Sequence, residues 1–309
     1  MPLPAGWRPA AFNQGWSYRE RIADQQSNIL LSSWLAKRYR HSSLQEWKQR
    51  IAAQELDLND RPLSSDAVIS PGDRICWHRP AWLEPAIPDQ WETIHDDGDV
   101  LVINKPSGLP VVPGGGFLLH TLTALLEPTG ARPVHRLGRF TSGLQVCART
   151  PASRAALSRR FRPGGGCRKI YRALSRRLEQ LHPGQQCAVA TDVVERQHPL
   201  LDWIWGPEPP DPAMPIRRRF SAHSSFLLVE RRHAGDLLEV AITTGRPHQI
   251  RIHLAQLGSP LLGDPLYRAD RSIDPSATPG DGGYRLHACG LEMAEAAFHC
   301  PADDLQPMH

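Results

Sequence analysis

Between Pro128 and Leu178 the sequence has no aspartate or glutamate, while the same stretch holds thirteen lysines and arginines. Cations without counter-charges create a local positive field that concentrates phosphate-bearing partners. The net charge of +4 over 309 residues would not single out such a partner by itself. Other absences narrow the class. No run of roughly 18 apolar residues occurs, which argues against a membrane-spanning helix. Met1 to Gly15 lacks a charged region followed by an apolar stretch, so no secretory signal is expected. The cysteines (Cys76, Cys147, Cys167, Cys187, Cys289, Cys300) form no Cys-x-x-Cys pair and show no metal-ligand spacing. Reduced thiols in a cytoplasm are the expectation for a chain of this length. The triplets Gly114–Gly116 and Gly164–Gly166 are not followed by Lys-Ser/Thr, which excludes a phosphate loop of the Walker type. There is no Gly-x-Ser-x-Gly elbow for a serine hydrolase. The His-x-Glu with Cys-x-x-Cys of a zinc deaminase is missing too.

What is present suits a globular protein of about two domains, at roughly 100–200 residues each. Residues 1–21 read as an irregular leader. From Ser27, Leu30, Leu31, Trp34, Leu35 and Tyr39 recur at helix spacing. A second helix opens at Ser43, where Glu46 completes a capping box, and Leu44, Trp47 and Ile51 form its apolar face. Lys37, Arg38, Arg40, Lys48 and Arg50 make the outer sides of both helices basic. Pro71-Gly72-Asp73 then turns the chain into the strand Arg74–Trp77. Residues 80–92, rich in proline, suit a semi-rigid linker. From 93 to 309 the pattern predicts a larger body. Asp96–Asp99 is a hairpin turn before the strand Val100–Ile103. Further strands are expected near 168–175, 187–194, 215–230 and 236–243, with helices near 119–127, 151–161 and 247–257. Thr150 and Pro151 make a good start for the middle helix. Many strands with dispersed helices define an α+β body with a mixed, mostly antiparallel sheet.

Polar residues cluster beside apolar strands in a few segments. They are Asn104–Leu109 (NKPSGL), His135–Leu144 (HRLGRFTSGL), Lys169–Ala173 (KIYRA) and Thr244–His253 (TGRPHQIRIH), the last leading into Gly258–Tyr267, and finally Arg285–Ala288 (RLHA). A guanidinium such as that of Arg251, near a helix start, can hold a phosphate or pair bidentately with a carboxylate. Tyr171 offers a flat apolar face with a polar tip, suited to stacking on a flipped-out base. Taken singly, Tyr171 is also ordinary strand packing and Arg251 an ordinary ion-pair member. His135, His248, His253 and His287 make no ligand trio.

In this order the segments, from about Thr93 to Glu292, resemble the RluA family of pseudouridine synthases. The region 22–79, two short basic helices followed by a turn-rich strand pair, resembles the S4 RNA-binding domain. The resemblance implies an isomerase that breaks a uridine's N-glycosidic bond in structured RNA, ribosomal or transfer, and rejoins the uracil through carbon. It implies no cofactor and no metal. It also implies that Tyr171 packs on the uracil, that Arg251 lies in the catalytic pocket, and that Arg136 helps move the base out of the stack. RNA contacts fall to Arg136, Arg139, Lys105, Arg246 and Lys169, and to the basic residues of the two helices. Asp264 looks structural. A cytoplasmic monomer is expected.

One position departs from the pattern. The family motif reads His-Arg-Leu-Asp, with the aspartate catalytic; here that residue is Gly138, which can neither attack nor abstract a proton. A substitute carboxylate has to come from elsewhere, with Asp96, Asp97, Asp99 or Asp264 as candidates. The alternative is an RNA-binding protein, a chaperone or assembly factor, that keeps the pocket without the reaction.

Overall fold

A computed structural model describes residues 3–23, 28–209, 211–302 and 305. The chain divides into two compact units, one of residues 10–84 with 199–202, the other of residues 3–9, 85–198 and 203–302 with 305.

In the smaller unit the helices form where apolar spacing demands them. Helix α1 (Leu31–Arg38) buries Leu31, Trp34 and Leu35. The expected start at Ser27 lies outside the described residues, and Ile29–Leu30 is a short strand paired with Val68–Ile69. Helix α2 (Leu44–Ala52) begins with the complete capping box of Ser43 and Glu46, and it buries Trp47 and Ile51. Leu44, expected on the apolar face, is 42% exposed, since the first helical residue overhangs the end of the core. The expected irregular leader is in part a strand: β1 (Trp16–Arg21) pairs antiparallel with β3 (Arg74–Arg79), which also pairs with β2 (Leu56–Leu58). Single-sequence reading missed β1 because Trp16, Tyr18 and Arg19 are exposed, so no clean alternation marks it.

Within 80–92, the expected linker is ordered by two-residue strands. Leu83–Glu84 pairs with Ala11–Phe12, and Ile87–Pro88 with Trp7–Arg8. Proline is tolerated there because each pairing is a short edge.

The larger unit is built on one sheet. Its main strands are β4 (Glu92–Asp96), β5 (Val100–Lys105), β6 (Thr141–Ala148), β7 (Arg168–Ser175), β8 (Gln186–Val189), β9 (Ser224–Arg231), β10 (Asp236–Ile242) and β11 (Leu286–Glu292), with the short strands Arg132–Pro133 beside β6 and Ala297–His299 beside β11. They run in the order β4-β5-β6-β11-β7-β10-β9-β8. The β6–β11 pair is parallel and the others are antiparallel, the mixed α+β sheet expected. Both faces are covered, as the alternation along β5 shows. Leu101 and Ile103 enter one core with Tyr171, Val240 and Ile250, while Val102 enters another with Leu144, Val146 and Leu291. The β6–β11 seam requires a glycine. A Cβ at Gly143, at φ +102°, would stand 2.3 Å from the Ala288 carbonyl oxygen. Helix α3 (Leu122–Leu125) and helix α4 (Pro151–Arg160) flank the sheet. Thr150 caps α4 through the Ser153 amide and in turn donates to Asp99. Helix α5 (Gln249–Gln256) is almost wholly buried.

Candidate active site

Period two along β7 puts Lys169 and Tyr171 on one face. At the neighbouring strand β11 the register shifts between Ile170 and Tyr171, a bulge of the kind found beside functional sites. Helix α5 enters the same region after His248, whose left-handed backbone (φ 55°) turns the chain sharply. Gln249 fixes that corner, accepting from the Arg246 amide (3.1 Å) and donating to the His223 carbonyl (2.9 Å). Loop 135–141, β7 and α5 converge on a cavity of about 460 Å³ lined by Arg136, Gly138, Arg139, Lys169, Tyr171, Arg246, Arg251 and Tyr284, among others. That volume is in the range of small-ligand pockets and holds a nucleoside. No aspartate or glutamate lines it among the described residues.

Arg251 anchors one wall. Its side chain is 3% exposed, and Nε and Nη2 donate to Asp264 at 2.7 and 2.8 Å. Burial opposes its charge, but hydrogen bonding and attraction from Asp264 outweigh this and raise its pKa. Asp264 is fully buried and also accepts from the amides of Leu266 and Tyr267, so its oxygens are committed. The partner of Arg251 is therefore Asp264, a carboxylate well along the chain from position 138. The third nitrogen, Nη1, is buried without a protein partner, as is Nζ of Lys169. Burial lowers the pKa of Lys169, which lies over the Phe161 ring. Both residues line the cavity, which offers no carboxylate among the described residues.

The missing side chain leaves a defined gap, and Tyr284 occupies it. A Cβ built on Gly138 would meet the Tyr284 phenol oxygen at 2.6 Å and Thr141 Oγ1 at 3.2 Å. Tyr284 and Thr141 share a hydrogen bond of 3.3 Å, and the Arg251 guanidinium lies 4.3 Å from the Tyr284 ring centroid. Sequence reading missed Tyr284, which stands one residue before the RLHA segment. Its only local signal is the two-residue step to Leu286, another lining residue.

The other expected residues fall into three groups. Arg136 is exposed at the rim. Arg139 is held there by Gly108 O (3.1 Å) and by the rings of Phe117 and Phe140, while Arg246 is held by Ser221 O (3.0 Å) and the Phe220 ring. Lys105 is different: it is fully buried, and Nζ donates to the carbonyls of Pro106, Leu109 and Arg139. It ties loop 105–109 to loop 139 and cannot meet phosphate, a correction to its expected role. Burial pulls its pKa down to about 7.

The basic helix residues belong to the smaller unit. Lys37 and Lys48 are exposed. Arg38 pairs with Glu20, and Arg40 pairs with Asp202 (3.3 Å). Arg50 lies between the rings of Trp47 and Trp77, at 4.5 and 4.8 Å.

Of the candidate replacement carboxylates, Asp96 pairs with Arg149, Asp97 caps the turn at Val100, and Asp99 caps α4; none lines the cavity. The histidines are satisfied structural groups. His135 stacks on Phe161 and accepts from the Val146 amide, His248 bonds Tyr267, His253 bonds Ser224, and His287 bonds Ser142.

Cationic side chains and the Tyr171 ring line this cavity of the α+β body, with no carboxylate among the described residues that line it. Residues 99–256 match the family model described as RNA pseudouridylate synthase. An uncharacterised RNA pseudouridine synthase of Synechocystis is 38% identical over 262 residues, covering 83% of this chain and 86% of that protein. The ribosomal large subunit pseudouridine synthase D of Xylella fastidiosa is 28% identical, covering 97% of this chain and 90% of that protein. The solved human RNA pseudouridylate synthase domain containing 4 shares the fold, with a TM-score of 0.53 at 22% identity over 68% of this chain and 88% of its own. The chain belongs to the RNA pseudouridylate synthase family, and the class of enzyme is an isomerase.

Proposed function

We propose that the protein isomerises uridine to pseudouridine in structured RNA, ribosomal or transfer, as an RluA-type enzyme with an S4-like module in front. The observation that carries this reading is the convergence of Tyr171, Arg251 and the 138 loop on one cavity of nucleoside size. Breaking the N-glycosidic bond leaves the electron pair on uracil, and the charge spreads over N1, O2 and O4. Preorganised cationic donors in a partly dry site stabilise such a charge where it develops. Arg251 Nη1 and Lys169 Nζ are of that kind, while Tyr171 supplies a face for the extruded ring. Arg136, Arg139 and Arg246 at the rim meet the phosphates on either side of the target. In the smaller unit, Lys37, Arg38, Arg40, Lys48 and Arg50 contact the RNA backbone.

A second reading, an RNA-binding protein without the reaction, draws on one observation: no carboxylate lines the cavity among the described residues. Incubating the purified protein with bulk RNA from cells that lack it, followed by mass spectrometry of the nucleosides, decides between them. Isomerisation leaves the mass unchanged and shifts retention, so new pseudouridine is expected. Tight RNA binding with no new pseudouridine rejects the isomerase.

A further inference from the structure

Resting on the isomerase reading, we propose that Tyr284 is the nucleophilic catalytic residue of this protein, its phenol oxygen replacing the side chain that Gly138 lacks. Three observations converge on it. The Tyr284 oxygen lies 2.6 Å from the point where a Cβ of residue 138 would be, so the two positions compete for one volume. Tyr284 is 4% exposed yet lines the cavity, so its oxygen is held by packing rather than by solvent. Thr141 Oγ1 shares a hydrogen bond with its hydroxyl, which gives that oxygen a proton relay, and the Arg251 guanidinium lies 4.3 Å from the centre of its ring.

Alternatives among the lining groups are weaker. Burial raises the pKa of Tyr171 and favours its neutral ring as a stacking surface. Thr141 carries an alkyl hydroxyl, a far poorer nucleophile than a phenol at neutral pH. Tyrosine is an established nucleophile at anomeric carbons in some glycosidases, where it stands in for the usual carboxylate.

The step balances. The Tyr284 oxygen bonds to C1′ of the ribose as the C1′–N1 bond breaks, and the phenol proton passes to N1 of the leaving uracil. The uracil turns over, C5 bonds to C1′ as the bond to the phenol oxygen breaks, and the C5 proton returns to that oxygen. No atom is gained or lost, and the product carries hydrogen on N1 and carbon on C1′.

The experiment uses the full chain and bulk RNA from cells lacking it, with pseudouridine measured at limiting and saturating RNA. Tyr284→Phe removes only the oxygen and is expected to lower kcat about a hundredfold or more, the usual range for a lost catalytic group, with KM changed little. Gly138→Asp alone is expected to lower the rate, because its side chain drives Tyr284 from its place. Gly138→Asp with Tyr284→Phe is expected to recover activity over either single variant, because the carboxylate then has room at the reacting position. Peptide mass spectrometry of quenched reactions is expected to find a nucleotide adduct on Tyr284. Thermal unfolding of each variant confirms that it is folded. A Tyr284→Phe protein with undiminished kcat, or one whose loss lies in KM, overturns the proposal. Absence of pseudouridine from the unsubstituted protein overturns the isomerase reading itself, an outcome visible before any variant is made.

Discussion

At the scale of the residue, the site depends on groups whose charge state is set by burial. His253 is fully buried between Ser224 and the Thr191 carbonyl, and desolvation holds its pKa down to about 4. In the unfolded chain it takes up a proton near pH 6.5, so between pH 6.5 and 4 the unfolded state binds more protons. Stability is therefore complete above pH 6.5 and falls as the pH drops toward 4, by about 1.4 kcal/mol per pH unit from this residue. His253→Gln is expected to flatten that part of the curve in urea unfolding; equal slopes in the two proteins would refute it. That Tyr171 and Arg251 line one cavity was legible in the sequence, since each belongs to a compact motif of polar residues a few positions apart. Tyr284 was not, because what defines it is a volume shared with Gly138 and a hydrogen bond to Thr141, 143 positions away. Lys105 misled for a related reason: a lysine beside proline and glycine reads as exposed, and only the fold shows three carbonyls closing around it.

Among the elements, strands and helices with strong local signals were readable. Strand β7, the Thr150–Pro151 start of α4 and the Ser43 capping box all lie where spacing and cap chemistry placed them. Elements held by partners far along the chain were not. Strand β1 exists because β3 offers it a ladder, and the short strands within 80–92 exist because residues 7–8 and 11–12 meet them. The β6–β11 seam matters most for the pocket, because it brings Thr141 opposite Leu286. Gly143→Ala puts a methyl group 2.3 Å from the Ala288 oxygen at a backbone angle that disfavours side chains. A cost of roughly 3 kcal/mol or more is expected from strain and clash together. It should appear as a large drop in melting temperature or as insoluble protein. A variant that melts with the parent would show that the seam is looser than its geometry.

For the whole molecule, the proposed function makes electrostatics the guide of an incoming RNA. The acid-free stretch supplies Arg136, Arg139 and Lys169 to one cavity, and β10 leads into the loop that adds Arg246. An exposed rim arginine such as Arg136 that meets phosphate releases a counterion on binding. Arg136→Ala is expected to weaken binding to structured RNA uniformly and to reduce the slope of log K against log salt by about 0.7 to 0.9. An unchanged slope in a filter-binding titration over salt would place Arg136 away from the phosphates.

The parallel seam also has a consequence for synthesis. Chains fold from the N-terminal end as they leave the ribosome. The wall carrying Lys169, Tyr171 and Arg251 is made long before Tyr284 and Leu286 emerge to close it. An unfinished chain thus displays unpaired cations in a half-built cleft beside the most abundant RNA in the cell. Strand β11, paired with both β6 and β7, turns that surface into a shaped chamber, so the cavity closes only once residues 284–292 are in place.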